Sequence, residues 1–129
     1  MKARPRLTFQ CQHCGACCGL VPVAPAEWEA IKQYVARMNQ DEKARLKAQR
    51  RGTMTCPLRD LERMRCAVYP VRPMLCRMQG LYQGLECKLD PRAAVKSRKK
   101  GRRRLARAYG PGLDGCVGVL GATLGWDDL

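Results

Sequence analysis

At 129 residues the chain has the length of one domain, and one Phe, two Trp and four Tyr are a thin apolar inventory for a core without staples. Twenty-five Lys and Arg against 11 Asp and Glu leave a net charge of +14, a field that attracts polyanions. No stretch has the length of a membrane span, and no apolar signal core follows Lys2, Arg4 and Arg6, so the chain reads as cytoplasmic. Thiols stay reduced there, and nine cysteines point to metal; in a secreted chain they would read as four disulfides and one thiol.

Residues 1–10 form a basic lead-in in which Leu7 and Phe9 alternate as in a short strand, and 11–19 is a cysteine loop. VPVAP at 21–25 is extended, because a residue before proline is pushed out of the helical region. Pro25 suits the first helical position, Glu27 and Glu29 the first turn, and Trp28, Ile31, Val35 and Met38 recur at helical spacing. A helix over 25–38 is therefore predicted, its apolar stripe read as core. A second helix, 41–50, opens on Asp41 and stops before Gly52.

Residues 53–89 are turn-rich, broken by Pro57, Pro70 and Pro73, with helix only in short pieces such as 72–79. Asp90 then offers a cap, Pro91 a first helical residue and Gly110-Pro111 a stop, predicting a helix weakened at Gly101. In the tail Gly112, Gly115, Gly118 and Gly121 recur at intervals of three, and the tail reads as flexible. Its apolar residues (Leu113, Val117, Val119, Leu120, Leu124 and Trp126) suit docking on the domain or on a protein partner.

The cysteines carry the chemistry. Cys11, Cys14, Cys17 and Cys18 make two Cys-x-x-Cys steps sharing a member, and Cys56, Cys66, Cys76 and Cys87 follow; Cys116 stands apart. Such spacing brings soft thiolates around Zn²⁺ or an iron–sulfur cluster, each commonly held by four ligands. Adjacent Cys17 and Cys18 diverge, or only one of them ligates. One or two centres fit eight thiols, the minimal one being Cys11, Cys14 and Cys17 or Cys18 with a downstream cysteine. Cys56-Pro57 after the run echoes a bacterial ferredoxin pattern with its fourth cysteine moved far away, and the spacing leaves zinc and [4Fe-4S] both open. Arg72 and Arg77 beside Cys76, and Arg65 beside Cys66, are candidates to offset thiolate charge from outside the ligand shell. His13 reads as an outward loop residue.

Phe9, Cys11, Cys14, Gly15, Cys17 and Cys18, then Cys56-Pro57-Leu58, then Cys66, Val68, Tyr69, Arg72, Pro73, Cys76 and Arg77 together resemble the YkgJ-type cysteine-cluster family, described as zinc- or iron-chelating. The resemblance covers about residues 9–87; it departs where the family usually places one more residue between Cys-Pro and leucine. It implies a metal-binding domain with the eight cysteines as candidate ligands, and no settled activity.

Residues 92–107 hold nine basic residues and no acid: Arg92, Lys96, Arg98, Lys99, Lys100, Arg102, Arg103, Arg104 and Arg107. A solvated face would interleave carboxylates. Alone, such an arm repels itself and frays; against phosphates it releases counterions and orders, so nucleic acid or a ribonucleoprotein is the expected partner. Few bulky apolar residues oppose the charges, which argues against a membrane surface.

Cysteine nucleophile chemistry lacks a positioned base, and Asp60 and Glu62 sit among arginines as local salt bridges. An enzyme is the minority reading, in the form of an iron–sulfur redox or protein-modifying enzyme. The expected architecture is a small irregular α-rich (α+β) metal-stabilised domain, 1–89, followed by a basic helix and Gly-rich tail, 90–129.

Overall fold

The structure, a computed structural model, describes residues 18–129. The Leu7–Phe9 strand, His13, and Cys11, Cys14 and Cys17 lie outside the described residues. The fold is a small mixed α+β arrangement of short elements: β1 (Val21–Val23), α1 (Pro25–Ala36), α2 (Gln40–Lys47), β2 (Arg59–Asp60), β3 (Arg65–Cys66), α3 (Met74–Met78), α4 (Arg98–Tyr109) and β4 (Gly118–Leu120).

The extended VPV segment becomes β1 and pairs antiparallel with β4, in register Val21↔Leu120 and Val23↔Gly118. Val21 and Val23 face the core while Pro22, which has no N–H for a ladder, sits between them. The tail expected to be flexible is thus folded into the domain. Leu120 is buried, and the Trp126 indole N–H donates to the Pro57 carbonyl at 2.7 Å. Two of the evenly spaced glycines have specific reasons. A Cβ on Gly118 would lie 2.6 Å from Thr123 Oγ1, and Gly121 has φ +89° with Leu20 where its Cβ would be.

Helix α1 starts at Pro25 as expected, with Glu27 Oε1 accepting the Ala24 N–H at 3.0 Å. Trp28, Ile31 and Val35 are buried, and the helix ends two residues before Met38, which still packs on the same core. For α2 the cap is Asn39, whose Oδ1 accepts the Glu42 N–H at 2.7 Å, so Asp41 lies in the first turn rather than at the cap. Arg45 of α2 bridges to Asp60 at 2.7 Å, to Glu62 at 2.8 Å and to Glu42 at 2.9 Å. Asp60 and Glu62 are salt-bridged as read, but their partner comes from α2. The Arg45 hydrogen bond holds the buried Asp60 carboxyl well below the usual carboxylate range. This pins α2 onto the β2–β3 hairpin.

The predicted helix from Pro91 does not form as one piece. A single 3₁₀ turn spans Pro91–Ala93, and the Asp90 side chain caps nothing. Lys96 then bonds to the 81–83 segment, its N–H to Leu81 O at 3.0 Å and its O from Gln83 N–H at 2.8 Å, which removes it from any helix. The helix begins at Arg98, capped by Ser97. Gly101 is where α4 touches the domain, not its weakness. A Cβ there would meet the Tyr82 ring at 3.1 Å, so glycine lets the helix backbone rest on that ring. Leu105, Ala108 and Tyr109 extend the face into a cluster with Met74, Met78 and Tyr82. The highly charged arm therefore docks on the fold through a narrow apolar seam.

Candidate metal centre and basic helix

Four thiols arrive at one region from four segments. Cys18 precedes β1, and its carbonyl accepts the Cys56 N–H at 3.0 Å. Cys66 closes β3, opposite Arg59 in the hairpin register. Cys76 lies in the middle of α3, two residues from each of the buried Met74 and Met78 and so on the opposite face of the helix from them. All four pack against the cluster built on α1, β1 and β4.

Their mutual proximity shows in their acidity. Burial pushes the Cys56 thiol up to about 12, and the neighbouring Cys66 and Cys18 act in the same direction. Burial pushes Cys76 up to about 12, with Cys56, Cys66 and Cys18 adding to the shift, and Cys66 up to about 11, with Cys18 adding. A group of buried thiols raising one another's pKa stays protonated at neutral pH until a cation compensates the charge. Such a donor set fits a soft metal ion or cluster. Among the described residues no three His, Cys, Asp or Glu side chains close around a single ion position, while Cys11, Cys14 and Cys17 fall outside those residues.

Cationic side chains surround the thiols. Arg72 stacks over the Tyr69 ring at 3.7 Å, donates to the Tyr69 carbonyl at 3.0 Å, and its charge favours the thiolates of Cys66 and Cys76. Arg77 and Arg65 are exposed. Two arginines escaped the sequence reading. Arg59, only 4% exposed, places Nη1 3.8 Å from Cys18 Sγ. Arg51 donates Nε–H to the Arg59 carbonyl at 2.8 Å and favours the Cys56 thiolate. The available signal was an arginine inside the tight run Cys56-Pro57-Leu58-Arg59-Asp60, where a surface charge has no place.

Cys87 is not brought to this group. It sits in a turn, its carbonyl accepting the Asp90 N–H at 3.2 Å, and packs into neither apolar cluster. Cys116 packs on the Tyr109 cluster, where burial and the Glu27 charge push its pKa up.

The basic residues form a second surface. Arg92, Lys96, Arg98, Lys99, Lys100, Arg102, Arg103, Arg104 and Arg107 are all exposed. Lys100, Arg103, Arg104 and Arg107, at helical spacing, line one open concavity of about 390 Å³. Arg104 Nη1 also donates to Tyr82 Oη at 3.2 Å, which fixes one wall of that concavity to the domain.

Comparison with curated proteins and with solved structures finds no match. Residues 10–101 match the CxxCxxCC family, described as "Putative zinc- or iron-chelating domain", and the chain belongs to that family.

Proposed function

We propose that the protein binds zinc or an iron–sulfur cluster through Cys18, Cys56, Cys66 and Cys76 together with the preceding Cys11, Cys14 and Cys17, and that α4 contacts nucleic acid or a ribonucleoprotein. The observation that carries the metal reading is the convergence of four buried or half-buried thiols from four segments beside three arginines. A bound metal would cross-link the four segments directly through their sulfurs. The chain's own part is to deliver the sulfurs, exclude water around them and hold cations nearby. Anaerobic purification with metal analysis and an absorption spectrum tests it. Stoichiometric zinc in a colourless protein or iron and sulfide in a brown, oxygen-sensitive one supports the reading, and a protein that carries neither metal and takes up neither when they are supplied overturns it.

The nucleic-acid reading is supported by the four-cation concavity and by nine exposed basic residues with no acid among them. Binding to a short RNA or DNA should weaken steeply with salt. Reversing Arg103 and Arg107 to Glu should reduce the slope by about one for each phosphate that is no longer neutralised. Affinity indifferent to salt would exclude the arm as the binding surface.

A further inference from the structure

Among the described residues few charges are buried, and Arg59 is the buried cation. A guanidinium taken out of water costs several kcal/mol unless anionic or strongly polar partners receive it, by the general cost of burying an ion. Its placement is built from several directions. The β2–β3 ladder sets Arg59 opposite Cys66, and Arg51 grips its carbonyl. Arg51 is itself held by the Leu46 carbonyl at 2.9 Å and the Gln49 carbonyl at 3.3 Å. Next in sequence, Asp60 is anchored by Arg45 and Gln49. The backbone at 59 is thus fixed on both sides, and among the side chain's contacts Nη1 lies 3.8 Å from Cys18 Sγ.

A thiol is a weak acceptor, whereas a thiolate receives a guanidinium N–H with the strength of a charge-assisted bond. Four thiolates around Zn²⁺ carry a net charge of −2, and a four-cysteine iron–sulfur cluster is likewise anionic. A fixed cation at bonding distance from one sulfur lowers the free energy of that form relative to the protonated thiols.

We propose that Arg59 is a positioning residue of the thiolate centre: its guanidinium orients the Cys18 sulfur and compensates the charge of the metal-loaded form. This rests on the metal reading above. Arg59 also lies across the β2–β3 ladder from Cys66, and Arg72, stacked on Tyr69, is another arginine near the thiols. The two differ in exposure: Arg72 is half-buried on Tyr69, so solvent screens it, whereas Arg59 is shielded.

The test is zinc competition against a chromophoric chelator, for the full chain, Arg59→Lys and Arg59→Met, from about pH 6 to pH 9. Arg59→Met is expected to bind zinc about tenfold or more weakly and to need higher pH for half-loading, with Arg59→Lys recovering most of both. An affinity and pH profile for Arg59→Met equal to the parent's would overturn the proposal. So would a Lys variant as weak as Met, because packing rather than charge would then be at work. If Arg59→Met does not fold, Arg59→Lys is compared with Cys18→Ser: a profile near the parent's supports the proposal, and a loss as deep as that of Cys18→Ser overturns it. A parent chain that binds no zinc or iron at all defeats the metal reading itself, a result distinct from either outcome for Arg59.

Discussion

The two apolar clusters hold the molecule by different means. One, built on Val21, Val23, Trp28, Ile31, Val35, Leu58, Val68 and Leu120, has thiols along its border. The other is Met74, Met78, Tyr82 and Tyr109, closed by a helix backbone at Gly101. The first gathers buried and half-buried thiols at its edge, where burial keeps them protonated. The second is complete with ordinary packing and a hydrogen-bonded latch, in which Tyr109 Oη accepts the Leu75 N–H at 3.2 Å and donates to Glu27 at 3.4 Å. The stabilities of the two regions should therefore respond to different chemistry, although α3 contributes to both.

Removing metal should separate them most. A structural metal contributes on the order of 10 kcal/mol, so a strong chelator, or Ser at Cys56, Cys66 or Cys76, is expected to lower the denaturant midpoint of the thiol-bordered cluster more than any other change, read by circular dichroism and metal content. Cys87→Ser should leave metal content unchanged; a loss equal to that of Cys76→Ser would bring Cys87 into the centre.

Alkali should act on the same half of the metal-free protein. The folded-state pKa of Cys56, Cys66 and Cys76 is raised above the ordinary value of 9.0, so their neutral forms favour the fold. The resulting stability is complete below about pH 9 and is lost as pH rises through 11 to 12, because the unfolded chain then releases protons first. Denaturant midpoints that stay flat across that range would mean the thiols are not buried together.

Smaller effects belong to the second cluster. Gly101→Val forces a branched side chain into the Tyr82 ring and should cost about 3 kcal/mol while leaving metal stoichiometry intact. If metal content fell equally, the two clusters would be one unit. Tyr109→Phe removes the hydroxyl bridge from the Leu75 N–H to Glu27 and should cost about 1 kcal/mol in urea unfolding.

Much of this was legible in the chain. Proline at 25 and the stripe of Trp28, Ile31 and Val35 place α1, because its propensity and its packing agree. The cysteine run and its downstream partners identify the family. What escaped were long-range pairings with no local signature. Asp90-Pro91 is a good helix start, but Lys96 is recruited by the 81–83 backbone and moves the start to Ser97. Gly101 looks like a helix breaker until Tyr82 is seen beneath it. Arg59 looks like one more of many arginines until the hairpin turns it inward.

The pairing of β1 with β4 also sets an order of events. Val21 and Leu120 are neighbours in space and about a hundred residues apart in the chain, so their pairing closes one of the longest loops available. Closing it has a large entropic cost, and such pairings form late and slowly. During synthesis every thiol of the centre has emerged well before Leu120. Metal capture is therefore expected to precede strand closure, with the ion acting as a nucleus that shortens the remaining search. Refolding that is no faster with zinc present than with zinc added afterwards would show the opposite order.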